Sequence, residues 1–470
     1  MAEAGYRNIS RAVAKISYNV KGSGKGVIMR ISLSDHFSYG RLLRFTVPSI
    51  IMMIFTSVYG VVDGFFVSNF VGKTPFAAVN FIMPLLMMLG SFGFMFGAGG
   101  GALIAKTLGG GDNDKAQKLF SMFVYITAGF GVFVAIIGTI FIRPIAVLLG
   151  AEGKMLEQCI TYGRILLIAM PFYMLQYEFQ SFFITAEKPK LGLAVTLISG
   201  FANMILDALF MAVFSWGVVG AAAATAISQI IGGVVPILYF SRKNKSLLRL
   251  RKTGIDIKAL LKACSNGSSE LMSNISMSIV SMLYNIQLMK YAGEDGIAAY
   301  GVLMYVCMIF IAIFIGYSTG IAPVVGYHFG ADNRSELKNL RKKSIMLIAI
   351  FSVCMFVFAE LMSKTLAAVF VGYDESLLEL TVRAFSIYSF SFLFCGISIF
   401  GSSFFTALND GLTSALISFL RSLVFQVAAV IIFPLIWKTD GIWLSIVAAE
   451  IMSIIVTVIF LFAKRKKYGY

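Results

Sequence analysis

The stretch LLRFTVPSIIMMIFTSVYGVVDGFFVSNF, residues 42–70, is long enough to cross a bilayer and carries an acid, Asp63, inside its apolar run. About 20 mostly apolar residues span the hydrocarbon core as a helix. A second run, 191–213, carries Asn203 and, four residues later, Asp207. A carboxylate at the centre of a membrane span costs about 2.5–3.5 kcal/mol on insertion scales and usually faces a cavity or a partner. Such acids point to a functional role, here the binding of a proton or Na⁺ that drives transport.

Composition agrees with a membrane class. Of 470 residues, 58% are hydrophobic and 13% charged, against about 25% charged in soluble proteins. Mean hydropathy is +0.85. The fold expected is an all-α polytopic membrane protein. The net charge of +16 sits in particular loops, so topology explains it better than nucleic acid does. Cys159, Cys264, Cys307, Cys354 and Cys395 are scattered, and His36 and His328 stand alone, so no metal or other cofactor is expected beyond a coupling ion. Residues 1–40 read as a basic cytosolic arm attracted to anionic lipid, not as a cleavable signal.

Twelve apolar runs follow: 42–70, 77–105, 119–142, 160–185, 191–213, 217–240, 258–290, 297–327, 341–362, 381–407, 412–436 and 441–463. The loops between them alternate. One set carries Lys106, Lys115 and Lys118, then Lys188 and Lys190, the cluster from Arg242 to Lys262, Arg334 to Lys343, and Lys464–Lys467. The other set is poor in basic residues. The positive-inside rule places both termini in the cytosol, as an even number of spans requires. The protein is therefore expected in the cytoplasmic membrane.

The halves repeat at an offset of about 220 residues. Gly110-Gly111-Asp112-Asn113 pairs with Gly330-Ala331-Asp332-Asn333, and Phe183-Ile184-Thr185-Ala186 with Phe404-Phe405-Thr406-Ala407. Six spans per repeat give two parallel, pseudo-symmetric six-helix bundles related by an axis along the membrane normal, with a substrate cavity expected between them. The expected organisation is a first lobe at 41–240, a basic cytosolic linker at 241–257, a second lobe at 258–463 and a basic tail at 464–470. One chain holds both lobes, so a monomer suffices.

The chain resembles the multidrug and toxic compound extrusion (MATE) family of the multidrug/oligosaccharidyl-lipid/polysaccharide exporter superfamily. The resemblance rests on Pro48 followed by Val62-Asp63-Gly64, the glycine-rich end of the second span running into Gly109-Gly110-Gly111-Asp112, and Pro189-Lys190. Asn203…Asp207, Gly217-Val218-Val219-Gly220 leading to Thr225, Gly326-Tyr327-His328-Phe329-Gly330, and Asp440-Gly441-Ile442-Trp443 complete it. It implies a secondary active exporter of organic cations or amphipathic drugs, working by alternating access and coupled to H⁺ or Na⁺.

The resemblance also implies a cation-coupling site in the first lobe, made by Asp63, Asn203, Asp207 and Thr225. The residues themselves agree. Asn203 and Asp207 project from one helix face. Two carboxylates in one low-dielectric pocket do not both stay charged, so one is expected to hold a proton. Equally, Asp63, Asn203 and Asp207 offer a hard oxygen cage suited to Na⁺. Tyr59, Tyr162 and Gln180 are candidates for the same network, against ordinary packing. By the repeat, Asp63 corresponds to about Tyr284 and Asp207 to about Gln426, so the second lobe does not keep the acids. Its own acids, Glu270 and Glu450, are candidates for a substrate or second-ion site. Glu270 alternatively pairs with Arg421, and Glu450 alternatively is a partnered structural acid.

Other classes fit less well. No P-loop, HExxH or Ser/His/Asp constellation lies in a span, which argues against an enzyme and against ATP coupling. A flippase for a lipid-linked sugar remains the alternative cargo reading. It calls for a cationic cavity, and the spans carry few basic residues besides Arg164, Arg383 and Arg421.

Overall fold

The computed structural model describes residues 31–71, 73–372 and 374–470. Most of the expected basic arm, residues 1–30, lies outside them. The described chain is helical, and several helices start where the sequence supplies a cap. Ser38, Asp112, Asp256, Asn333 and Asp410 each accept a hydrogen bond from a backbone N–H three residues on.

In chain order the spans are α1 (Tyr39–Phe66, prolonged by a π-helical turn Val67–Val71), α2 (Lys73–Gly109), α3 (Asn113–Leu148) and α4 (Gly153–Thr185). Next come α5 (Pro189–Asp207, prolonged by a π-helical turn Ala208–Val213) and α6 (Gly217–Ser241). The run Ile257–Gly330 is 74 residues long, about 110 Å at 1.5 Å per residue and far more than one bilayer crossing needs. It breaks at Gly293, with φ 64°, into α7 (257–292) and α8 (294–330). Then follow α9 (Arg334–Val371) and α10, a pair (Glu375–Ser389 and Phe392–Ala407) bent by 49°.

The 53-residue run from Gly411 to Ala463 contains a π-helical turn at Leu420–Val424 and breaks at Lys438, with φ 50°. Its halves are α11 (411–437) and α12 (439–463). A short turn, α13 (Arg465–Tyr468), ends the chain. Counting α10 as one, ten runs among the described residues are long and apolar enough to span a membrane. Two of them are double, which makes twelve crossings.

The repeat is visible in the backbone. Left-handed residues recur in pairs: Gly111 with Asp332, Glu187 with Asn409, and Ser215 with Lys438. These positions correct the register read from sequence. Gly111 pairs with Asp332, and the capping Asp112 with the capping Asn333, one residue later than the letter match. Backbone conformation at a helix end, not residue identity, sets the equivalence. The π-turn Leu420–Val424 inserts one residue ahead of Gln426 and moves the offset from 222, its value at Glu187 and Asn409, to 223. Gln426 therefore stands opposite Asn203, and Val430 opposite Asp207.

The two bundles meet tightly at the end that carries the basic loops. A Cβ on Gly109 would lie 1.9 Å from the Tyr327 carbonyl oxygen, and one on Gly330 1.9 Å from that of Lys106. Only glycine lets these backbones approach so closely. Gly99 and Gly267 make the same kind of contact with Ala263 and Met95. The segment joining α6 to α7 folds back on the first bundle. Leu248 is buried, Arg251 N–H donates to Ser121 Oγ at 2.9 Å, and the Arg251 guanidinium pairs with Asp114 at 2.6 Å.

Candidate functional site

Asp63 lies on α1 one turn before its π-helical end, and Asp207 is the last α-helical residue of α5 before a π-turn. π-turns add a residue to a helix and often mark functional positions. The two carboxyls face one another across the α1–α5 contact, where Gly200 lets Phe55 and Tyr59 of α1 approach α5. Asn203, one turn before Asp207, is buried on the same helix face. Tyr162 of α4, fully buried, faces Asp63, Asp207 and Thr225 of α6, and its hydroxyl donates to Met83 Sδ at 3.8 Å.

The oxygens gathered here are unsatisfied. Asp63 Oδ1, both carboxyl oxygens of Asp207, Asn203 Oδ1 and Thr225 Oγ1 are buried without a hydrogen-bond partner among the described residues. Each such atom costs about 1–3 kcal/mol unless something satisfies it. The donor set is all oxygen, hard and acidic, and fits a proton or Na⁺.

Tyr59, one turn before Asp63, faces Tyr177 of α4, which in turn meets Tyr173 edge-on at 4.9 Å. Tyr177 stacks on Phe94 at 3.8 Å. Both rings line a cavity between the bundles, together with Gln180, Ser181 and, from the second bundle, Glu270 and Thr406. Thus Tyr59 and Tyr177 connect the acid pocket to the cavity. Gln180 lines the cavity wall. Sequence reasoning missed Tyr173, Tyr177 and Phe94. Tyr173 and Tyr177 are four apart and share a helix face, a signal obscured by an aromatic content of 14%.

Glu450 lies elsewhere. In the second bundle the Arg421 guanidinium clasps it side-on, Nε to Oε2 at 3.0 Å and Nη2 to Oε1 at 2.9 Å. Arg421 therefore partners Glu450 and not Glu270. Tyr284, in register with Asp63, donates its hydroxyl to Gln426 Oε1 at 3.1 Å. Val430, opposite Asp207, is fully buried and apolar. Near the basic-poor ends, Arg383 pairs with Asp440 at 2.5 Å.

Twelve crossings in two repeated bundles, with a cavity between them and an acid pocket in one, define a multi-pass membrane transporter. The MatE family profile matches residues 48–209 and again 271–432, well over half of the chain. The chain belongs to the MatE family, whose members are transporters and not enzymes. It is 27% identical over 414 residues to the multidrug export protein MepA of Staphylococcus haemolyticus (strain JCSC1435), covering 88% of this chain and 91% of that one. Against MepA of Staphylococcus aureus (strain MRSA252) identity is 25% over 417 residues, covering 88% and 91%. Among solved structures, an outward-facing MATE transporter superimposes with a TM-score of 0.88 at 21% identity, covering 94% of this chain and 99% of the other. A superfamily transporter from Pyrococcus furiosus gives 0.87 at 22%, covering 95% and 100%.

Proposed function

We infer that this protein is a multidrug exporter of amphipathic organic cations, working by alternating access and driven by H⁺ or Na⁺ entering through the first bundle. The observation that carries the reading is the convergence of Asp63 and Asp207 with the unsatisfied oxygens of Asn203 and Thr225. An isolated ionised pair there is expensive. Loading a cation neutralises it and lets α1, α5 and α6 repack. Unloading restores the charge and favours the opposite packing. The glycine contacts at the basic-loop end correspond to a state closed toward the cytosol, where both termini lie in this reading. The lobes that move are 41–240 and 258–463, joined at 241–257.

Substrate chemistry follows from the cavity. Phe94 and Tyr177 offer ring faces to a flat cation, Met53 an adaptable contact, and Glu270 a negative charge. No basic side chain is among its lining residues, which argues against a pyrophosphate-linked lipid as cargo. The similarity to MepA over most of both chains, a protein named for multidrug export, supports a drug as the cargo. One chain holds both lobes and acts as a monomer in the cytoplasmic membrane, with lipid around it.

The test is efflux of organic cations from proteoliposomes under an imposed pH or Na⁺ gradient. Wild type exports under one of the gradients, and Asp63→Asn loses that drive at least about a hundredfold, the loss of about 2.7 kcal/mol. Undiminished gradient-driven export by Asp63→Asn rejects the reading.

A further inference from the structure

The second bundle contains a charged pair where the first has none. Gly220 and Gly441, each packed closely on a phenylalanine of the preceding helix, are 221 residues apart, and at that offset Glu450 stands opposite the neutral Gln229. Glu450 is buried, and the groups that face it come from three helices. They are Arg421 of α11, Tyr284 of α7, and Tyr388 and Cys395 of α10. Of these, Arg421 alone carries a fixed positive charge. Its two contacts, at 2.9 and 3.0 Å, occupy both carboxylate oxygens. The neighbouring Tyr284–Gln426 hydrogen bond holds two neutral groups that need no ion.

We propose that Arg421 is a built-in cation that closes a latent ion site at Glu450, and so limits ion coupling to the first bundle. The inference rests on the coupled-transport reading above. Its logic is electrostatic. A buried carboxylate keeps its charge only with a partner. In the first bundle the partner must come from solution, and its arrival and departure couple to transport. In the second bundle the partner is a side chain tethered through the helix backbone, so it cannot be exchanged. Removing it leaves Glu450 uncompensated beside two tyrosines and a thiol, and Glu450 must then take a proton or Na⁺ from solution. The ligand class of the uncovered site is thus a monovalent cation. Arg421 sets the number of ions moved per drug without touching drug or ion itself.

The experiment compares wild type, Arg421→Met and Arg421→Met/Glu450→Gln as purified full-length proteins. Thermal unfolding is followed across pH and across Na⁺ concentration. The same three proteins, with Asp63→Asn, are assayed in proteoliposomes for ions moved per drug. Arg421→Met is expected to gain a stabilisation by protons or Na⁺ that wild type lacks, and to move one more ion per drug. The double variant is expected to lose both gains. The proposal is overturned if Arg421→Met shows the wild-type ion dependence, if the new dependence persists in the double variant, or if Arg421→Met folds at no pH or Na⁺ concentration. Failure of the coupled-transport reading looks different: wild-type efflux would ignore both gradients, while the unfolding measurements would still report on Arg421.

Discussion

The first bundle leaves its buried charges open and the second closes them. Asp63 and Asp207 face each other with unsatisfied oxygens around them. In the second bundle Tyr284 and Gln426 satisfy one another, Val430 replaces the second acid, and Arg421 clasps Glu450. Both bundles descend from one repeated pattern, with left-handed residues at matching positions. The same backbone can therefore serve as an exchangeable ion pocket or as a fixed polar core, and a handful of side chains decides which. A rocking transporter gains from this asymmetry: one bundle senses the ion while the other gives it a stable surface to move against.

The comparison is broken most severely by unpairing the closed site. Glu450→Gln strands the Arg421 charge and is expected to cost about 3–5 kcal/mol, whereas replacing both partners by methionine is close to neutral. Chemical denaturation of the single and double variants in detergent checks this. A single variant as stable as wild type would mean that the pair does not hold the second bundle closed.

A smaller effect is expected where the bundles meet. Gly330→Val puts a side chain against the Lys106 carbonyl. Overpacking of this kind costs about 1–3 kcal/mol, and here separating the bundles relieves it. Labels on the basic-loop ends of α2 and α8 should move apart by spin–spin distance measurement, with both bundles otherwise intact. An unchanged distance distribution would remove the glycines from the gate.

The smallest effect concerns the tail, which anchors on the second bundle alone. Tyr468 donates to Asp410 Oδ2 at 2.7 Å, and the Lys464 ammonium lies 3.3 Å from it. Burial alone would raise the Asp410 carboxyl, but the Tyr468 and Thr413 hydrogen bonds and the Lys464 charge together hold it below the usual carboxylate range. A depressed acid contributes stability above its unfolded pKa and loses it as pH falls through the folded value. Asp410→Asn should therefore lower stability at neutral pH by about 1 kcal/mol or less, and the difference from wild type should vanish in acid. A difference independent of pH would mean that packing of the tail, not its charge, anchors it.

Much of this was legible in the sequence, for physical reasons. Twelve apolar runs stand out because a bilayer demands length and apolarity together. Asp63 and Asp207 stand out because a charge in such a run is costly. The breaks at Gly293 and Lys438 fall inside the gaps read between 290 and 297 and between 436 and 441, because Lys290, Glu294 and Asp295 interrupt the first apolar run, and Lys438 and Asp440 the second. The register of the second bundle was read from letters as placing Gln426 opposite Asp207. Helix-end conformation at Glu187 and Asn409 already sets the offset at 222, and the π-turn at Leu420–Val424 adds one more residue. Arg421 and Glu450 are 29 residues apart on different helices, so their pairing was one alternative among several. Tyr177 and Phe94 were invisible because aromatic residues are common on every span.

Where the coupling ion binds decides between the two bundles. The most direct measurement counts ions moved per drug in proteoliposomes for Asp207→Asn beside a variant with both Arg421 and Glu450 replaced by methionine. Asp207→Asn is expected to uncouple drug movement from the ion gradient while the double methionine variant keeps the wild-type ratio. Coupling retained by Asp207→Asn and lost by the double variant would contradict this expectation and place the ion in the second bundle.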